Sequence, residues 1–142
     1  AQDNRPDEVL ISEALDESIQ ASREGRPGGV LDFISNNLRV DGIGPVSKGQ
    51  VARLIRENKP EVEITSRKTT VAGATAEMVA DVRIKGTVQV MAFSAGFDRT
   101  FKGIRLGFAK EEARKYLIVP VRTWRLTEVN IPGDQIDFGL GM

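Results

Sequence analysis

The sequence predicts an α+β domain in which three N-terminal helices cover a curved antiparallel sheet. Two observations carry this. Helix-period apolar residues fill roughly the first 59 positions, and strand-period sequence then runs almost unbroken to Ile131. Each helical segment, moreover, has one apolar stripe and a polar remainder, so each needs a surface to lie on.

Pro6 suits a first helical turn, where a missing N–H is tolerated, and Asp7 and Glu8 follow at the positive end of the helix dipole. Ile11, Leu15, Ile19 and Ser22 then recur at helical spacing beside Leu10, Ala14 and Ser18, and Gly25 is a natural stop. Pro27 opens a second, shorter helix whose Val30, Leu31, Ile34 and Leu38 share a face, with Phe33 and Asn37 at its flank. Turn formers Asp41, Gly42, Gly44 and Pro45 come next. Ser47 and Gln50 then form an S-x-x-Q capping box, hydroxyl and amide each satisfying an otherwise unpaired backbone donor. Val51, Leu54 and Ile55 carry this third helix to Asn58 and Pro60.

Strands supply the surface those stripes need. Val62 and Ile64 alternate with Glu61 and Glu63. After a turn at Ala72-Gly73-Ala74, Met78, Ala80, Val82 and Ile84 face one way and Glu77, Asp81, Arg83 and Lys85 the other. Period two with one polar face is what a half-buried antiparallel strand requires. Ala92 to Gly96 is the expected reversal, leading to Phe97, Phe101, Ile104, Leu106 and Phe108. Lys110-Glu111-Glu112 reads as a charged hairpin tip, and a last strand runs from about Arg114 to Ile131. It is apolar on both faces near Leu117-Ile118-Val119, and Pro120, which cannot donate to a ladder, predicts a bulge or bend. Residues 1–133 then form one domain and 134–142 a loosely held tail.

Composition limits the chemistry. With 142 residues the chain fits one domain, burying about two-thirds of the surface its unfolded form exposes. Its 20 basic and 20 acidic side chains give no net pull towards nucleic acid or an anionic membrane. They are unevenly placed: residues 1–38 hold eight acids against three bases, and residues 99–125 eight bases against two acids. Mutual attraction of the two halves is the plain reading, and a basic ligand-facing sheet the sharper one. Cysteine and histidine are absent, which removes disulfides, a thiolate nucleophile, the usual neutral-pH base and the commonest zinc ligands. No cofactor and no metal are expected. No apolar run approaches the ~18 residues that span a bilayer. Ala1-Gln2-Asp3-Asn4 would suit the start of a chain cut by signal peptidase, so bacterial export to the periplasm or beyond is the expectation, with the cytoplasm as alternative.

The layout resembles the nuclear transport factor 2-like superfamily, whose members share a cystatin-like cone fold. The carrying segments are Val30-Leu31-Asp32-Phe33-Ile34, Pro45-Val46-Ser47-Lys48-Gly49-Gln50-Val51, Ala76-Glu77-Met78-Val79-Ala80-Asp81-Val82 and Trp124-Arg125-Leu126-Thr127-Glu128-Val129. The resemblance implies three helices on a strongly curved sheet of four or more strands, with a short β segment after the second helix, here Arg39-Val40. It also implies a cavity that holds a small hydrophobic or amphipathic ligand in many members, and dimerisation through the outer sheet face in others. Enzymatic members place Asp, His, Tyr or Arg inside the cone; this chain has no histidine and one tyrosine.

Candidate residues follow from both lines. Tyr116, Ile118, Pro120, Arg122 and Trp124 share a face of the last strand if the register survives Pro120. An aromatic pair flanking a guanidinium would grip an anionic, partly apolar ligand, and Phe33 and Asn37 would complete that pocket. The plainer alternative makes Trp124 core and Arg122 a surface cation. Asp32, beside the stripe of the second helix, and Asp41, in the following loop, are weak candidates for a base if burial raises their pKa. A helix-surface charge and a turn former are the plain readings of these two. Ala92-Phe93-Ser94-Ala95-Gly96 brushes against the G-x-S-x-G nucleophile elbow but lacks the base and the following helix, so a hairpin turn is the better reading. Gly42-Ile43-Gly44 is a turn, and Asp134 with Asp137 fall short of a calcium site. Phe101, Phe108, Tyr116 and Trp124 among basic neighbours could stack bases, yet no RNA-recognition motif is present, so nucleic acid is not the expected partner. The expectation is a non-catalytic domain that binds a small amphipathic or anionic ligand or a partner protein, possible as a homodimer through its sheet. The alternative is a cofactor-independent lyase or isomerase with a cone-buried Asp.

Overall fold

The computed structural model describes residues 6–90, 93–115 and 119–133. In chain order they form α1 (Asp7–Arg23), α2 (Pro27–Leu31), β1 (Ile34–Val40), β2 (Gly44–Pro45), α3 (Lys48–Asn58), β3 (Glu61–Ala72), β4 (Thr75–Val90), β5 (Phe93–Lys115) and β6 (Val119–Asn130). One six-stranded sheet contains them in the order β2-β1-β6-β5-β4-β3.

Helix ends follow local chemistry. Gly25, at φ +71°, ends α1. Ser47 Oγ accepts from the Gln50 N–H at 3.1 Å while Gln50 Oε1 accepts from the Ser47 N–H at 3.2 Å, closing the capping box of α3. The second helix is shorter than its periodicity suggests. It stops at Leu31, and Ile34–Val40 is a strand, because Gly28 and Gly29 weaken the helix and Ser35, Asn36 and Asn37 are poor helix formers. That strand pairs in parallel with β6 (Ile34 opposite Leu126, Val40 opposite Val129), so the sheet is mixed rather than wholly antiparallel.

Bulges bend the sheet along a line. Thr65 is an extra residue in β3 and Lys102-Gly103 widens β5, both beside Asp81 of β4. Thr65 Oγ1 donates to the Asp81 carbonyl at 3.4 Å, and Asp81 Oδ1 accepts from the Gly103 N–H at 3.0 Å. Gly103 holds φ +68°, which an ordinary side chain would resist. A third bulge is at Thr127, whose hydroxyl donates to the Gly107 carbonyl at 3.1 Å. Each adds local twist to an otherwise regular ladder.

The reversals differ from the expected ones. Ser94, Ala95 and Gly96 lie within β5, opposite Gln89, Val88 and Thr87, so Ser94 is a strand residue. Lys110-Glu111-Glu112 is no tip either: these residues pair with Trp124, Thr123 and Arg122, and the ladder continues to Lys115 opposite Val119. Pro120 pairs with Arg114 without a register shift. On its other side β6 has no neighbour there among the described residues, since β1 pairs only with Leu126, Glu128 and Val129, and an unpaired edge tolerates a missing donor. Tyr116, Leu117, Ile118 and the 134–142 tail with Asp134 and Asp137 lie outside the described residues.

Core residues occupy the inner sheet face. Met78, Ala80, Val82, Ile104, Leu106, Phe108 and Trp124 pack with Ile11 and Leu15 of α1 and with Phe33. A second cluster joins Ala21, Val30, Ile34, Leu38 and Ile55, and Leu126 and Val129 pack against both. Full burial of side chains of this size contributes about 1.5–3 kcal/mol each.

Candidate functional site

Trp124 and Lys110 face each other across the β5–β6 ladder, so their side chains leave the same face of the sheet. The first turn of α1 brings Asp7 to them. Asp7 Oδ1 accepts from Trp124 Nε1 at 3.1 Å and lies 3.3 Å from Lys110 Nζ. The ammonium also lies over the indole, 5.5 Å from its centroid. The Trp124 bond foremost, then Lys110, holds the Asp7 carboxyl below its ordinary value of 3.8, against an opposing push from burial. Each member therefore has its charge or donor met by another. The trio can lock α1 onto the sheet, and its cation could receive an anionic group, but it presents no base poised near neutral pH.

The expected pocket is divided. Phe33 and Trp124 are both buried in one cluster, with Phe33 5.8 Å from the Phe108 ring at 48°. Trp124 thus combines the core role with a polar contact at its edge. Asn37 is exposed on β1, its backbone N–H donating to Ser35 Oγ at 3.2 Å. Arg122 stands opposite Glu112 in β6, two residues from Trp124, and Tyr116 lies outside the described residues. Asp32 caps the C-terminus of α2 and Asp41 sits in the turn after β1, and both are exposed. Neither is a cone-buried base. The early end of α2 turns Asp32 outward, and the Asp41 N–H is tied to the Val129 carbonyl at 2.8 Å.

A second polar group crosses the outer face. Ser35, 1% exposed, donates through Oγ to Glu111 Oε2 at 2.8 Å, and Arg125 Nη1 lies 3.8 Å from Glu111 Oε1. Arg125 Nε is buried without a partner among the described residues. The group ties β1, β6 and β5 together. Sequence reading missed both groups, although a signal was there: period two continues from Leu106 and Phe108 to Lys110, which marks Lys110 as inward and Glu111 as outward.

Two depressions are open to solvent. One, about 490 Å³, lies between α1 and β3 and is lined by Glu8, Val9, Ser12, Glu13, Asp16 and Thr69. The other, about 530 Å³, lies at one end of β3–β6 among Thr70, Thr75, Glu77, Gly107, Thr127 and Glu128. Trp124 and Phe33 line neither. Among the described residues, no three His, Cys, Asp or Glu side chains could hold a metal ion together, and no helix is long and apolar enough to cross a membrane.

No family model and no curated protein matches this sequence. Solved structures do resemble it in fold. An NTF2-like protein with a cystatin-like fold from Novosphingobium aromaticivorans has 15% identity and a TM-score of 0.62 over 92% of this chain and 84% of that one. An NTF2-like protein from Cytophaga hutchinsonii has 11% identity and a TM-score of 0.65, over 89% and 97%. A hexachlorocyclohexane dehydrochlorinase from Novosphingobium barchaimii has 11% identity and a TM-score of 0.60, over 87% and 84%. The fold therefore hosts proteins with and without a stated reaction, and at these identities the likeness is one of fold alone.

Proposed function

We propose that this domain of nuclear transport factor 2-like, cystatin-like fold is a non-catalytic interaction module that works through the outer face of its sheet, pairing there with a second copy of itself. One observation carries the reading: side chains fill the inner face, while no described element covers the outer face of β3–β5. Ile11 and Met78 are 0% exposed, Phe108 2% and Trp124 4%, and no carboxylate is buried among them. The outer face carries Val79, 38% exposed, opposite Arg105 and diagonal to Gly107. Around them Arg83 pairs with Asp98 at 2.6 Å and Arg105 with Glu77 at 3.3 Å. A patch holding both signs can meet its own two-fold copy with opposite charges facing, and a stable pair needs about 800 Å² from each partner.

Sedimentation equilibrium tests this. A dimer at micromolar concentration is expected, and Val79→Glu, which places like charges at the centre of the interface, should weaken it at least tenfold. A wild-type monomer throughout, or a dimer indifferent to Val79→Glu, would overturn the reading. A thermal-shift screen with aromatic and lipidic acids separates it from a ligand seat at Lys110 and Trp124. The interaction module predicts unmoved midpoints, and a saturable rise lost in Lys110→Gln would favour the ligand binder instead.

A further inference from the structure

Unanswered cations and exposed apolar side chains gather in one stretch, the β1–β2 hairpin and α3. Residues 39–59 hold five bases (Arg39, Lys48, Arg53, Arg56 and Lys59) against two acids, Asp41 and Glu57. Among the described residues none of the five meets a carboxylate within ion-pair distance, whereas six cations elsewhere do, Arg67 with Asp16 and Arg83 with Asp98 among them. Ile43, in the turn of the hairpin, is 64% exposed and Leu54, in mid-α3, is 51% exposed; no other large apolar side chain described is as open. The helix buries Ile55 and leaves Arg53, Leu54 and Arg56 exposed. Lys59 extends the pattern. It holds φ +43° at the end of α3, a left-handed position that glycine takes at less cost. Its stem lies against Gly25, where a Cβ would come within 2.9 Å of Lys59 Cε. Arg56 and Lys59 also suit the negative end of the helix dipole. Arg53, in mid-helix, and Arg39, on a strand, answer no dipole.

We infer that α3 rests on an anionic lipid surface, with its cations at the headgroups and Leu54 at the acyl boundary. This helix is no part of the outer sheet face, so pairing through that face neither requires nor forbids the contact. Three features select the occupant. Cations without a carboxylate of their own call for negative charge, and the zero net charge of the chain hides their local excess. The exposed side of α3 is convex and lines neither solvent-open depression, so it offers no groove for an acidic peptide, whereas a bilayer needs none. An aliphatic side chain among cations suits the boundary between headgroups and acyl chains. Nucleic acid would be met by aromatic side chains on which bases stack, and residues 39–59 contain none.

The probe is a phosphatidylcholine vesicle, with or without phosphatidylserine, floated with the full chain. Expected is saturable binding that needs phosphatidylserine and falls steeply as salt rises above physiological strength. Arg53→Gln with Arg56→Gln should weaken it at least tenfold, with fold checked by circular dichroism. Lys68→Gln with Lys85→Gln removes the same charge from β3 and β4 and should leave binding within about twofold. Leu54→Gln changes an exposed position, so it should keep the thermal midpoint yet weaken binding severalfold. Leu54→Trp should bind and shift its emission to the blue on the anionic vesicle. No binding, equal binding to phosphatidylcholine alone, equal loss in the two double variants, or indifference to Leu54→Gln would each overturn the inference. So would tighter binding of a single-stranded oligonucleotide or of polyglutamate at the same salt.

Discussion

Asp7 stands between two donors of different kinds, an indole N–H that persists at any pH and an ammonium whose attraction needs a charged partner. Both favour the ionised carboxyl, so its pKa falls below 3.8 on folding. The sign follows directly. A group whose pKa is lowered on folding contributes stability that is present above its unfolded pKa and is lost as pH falls through the folded value. Asp7→Asn keeps an oxygen for Trp124 yet cannot titrate. Wild type should therefore lose stability more steeply than Asp7→Asn as pH falls below about 4, measured by urea midpoints at a series of pH values. Parallel acid limbs would show that the carboxylate is equally comfortable unfolded. Sequence reading placed Asp7 only against the helix dipole, because nothing local in a chain announces a partner 117 residues away.

Among the elements, α1 and α2 approach closely at Gly29. A Cβ built there would lie 2.6 Å from Ala21 Cβ, a methyl fixed to a helix backbone that cannot swing aside. Gly29→Ala should raise helix propensity by up to ~1 kcal/mol, while forced separation of packed helices costs about 1–3 kcal/mol. The clash wins. A net loss of about 1–2 kcal/mol is expected in chemical unfolding, and an unchanged or raised midpoint would mean the helices part freely. The same region shows what the sequence could and could not reveal. The capping box of α3, the Gly25 stop and the Gly73 turn are local and were legible. Of strand β1 only Arg39-Val40 was expected, from the family resemblance; the rest was not, because Ile34 and Leu38 lie four residues apart, and that interval returns to the same face of a helix and of a strand alike. Only pairing with β6, about ninety residues on, decides between them. Likewise the charges at Lys110-Glu111-Glu112 mimic a turn, although Lys110 is met from α1 and Glu111 across the sheet. A core place for Trp124 was legible as the plainer reading of its strand, whereas Phe33 read as flanking the stripe of a helix, and the indole's bond to Asp7 comes from the far end of the chain.

For the whole molecule, the decisive link is the one between its two core clusters. Strands β3–β6 with α1 enclose one, β1 with α2 and α3 the other, and Leu126 and Val129 pack against both. Leu126 also stands opposite Ile34 and donates its N–H to the Phe33 carbonyl at 2.8 Å, so backbone and side chain tie the halves at one point. The peripheral ion pairs do little here, since Arg105–Glu77 and Arg83–Asp98 are exposed and water screens such pairs. Cooperativity should therefore depend on the apolar joint. In the native protein, hydrogen exchange in β1 and α3 should require the same global opening as exchange in β4 and β5. Leu126→Ala removes a half-buried side chain and should cost about 2 kcal/mol, but unevenly. The smaller cluster has fewer contacts to fall back on, so β1 and α3 amides should begin to exchange through a separate opening about 1–2 kcal/mol below the global one. Equal loss of protection on both sides would place the joint elsewhere, and a single shared opening retained in Leu126→Ala would mean that the parallel β1–β6 ladder alone couples the halves.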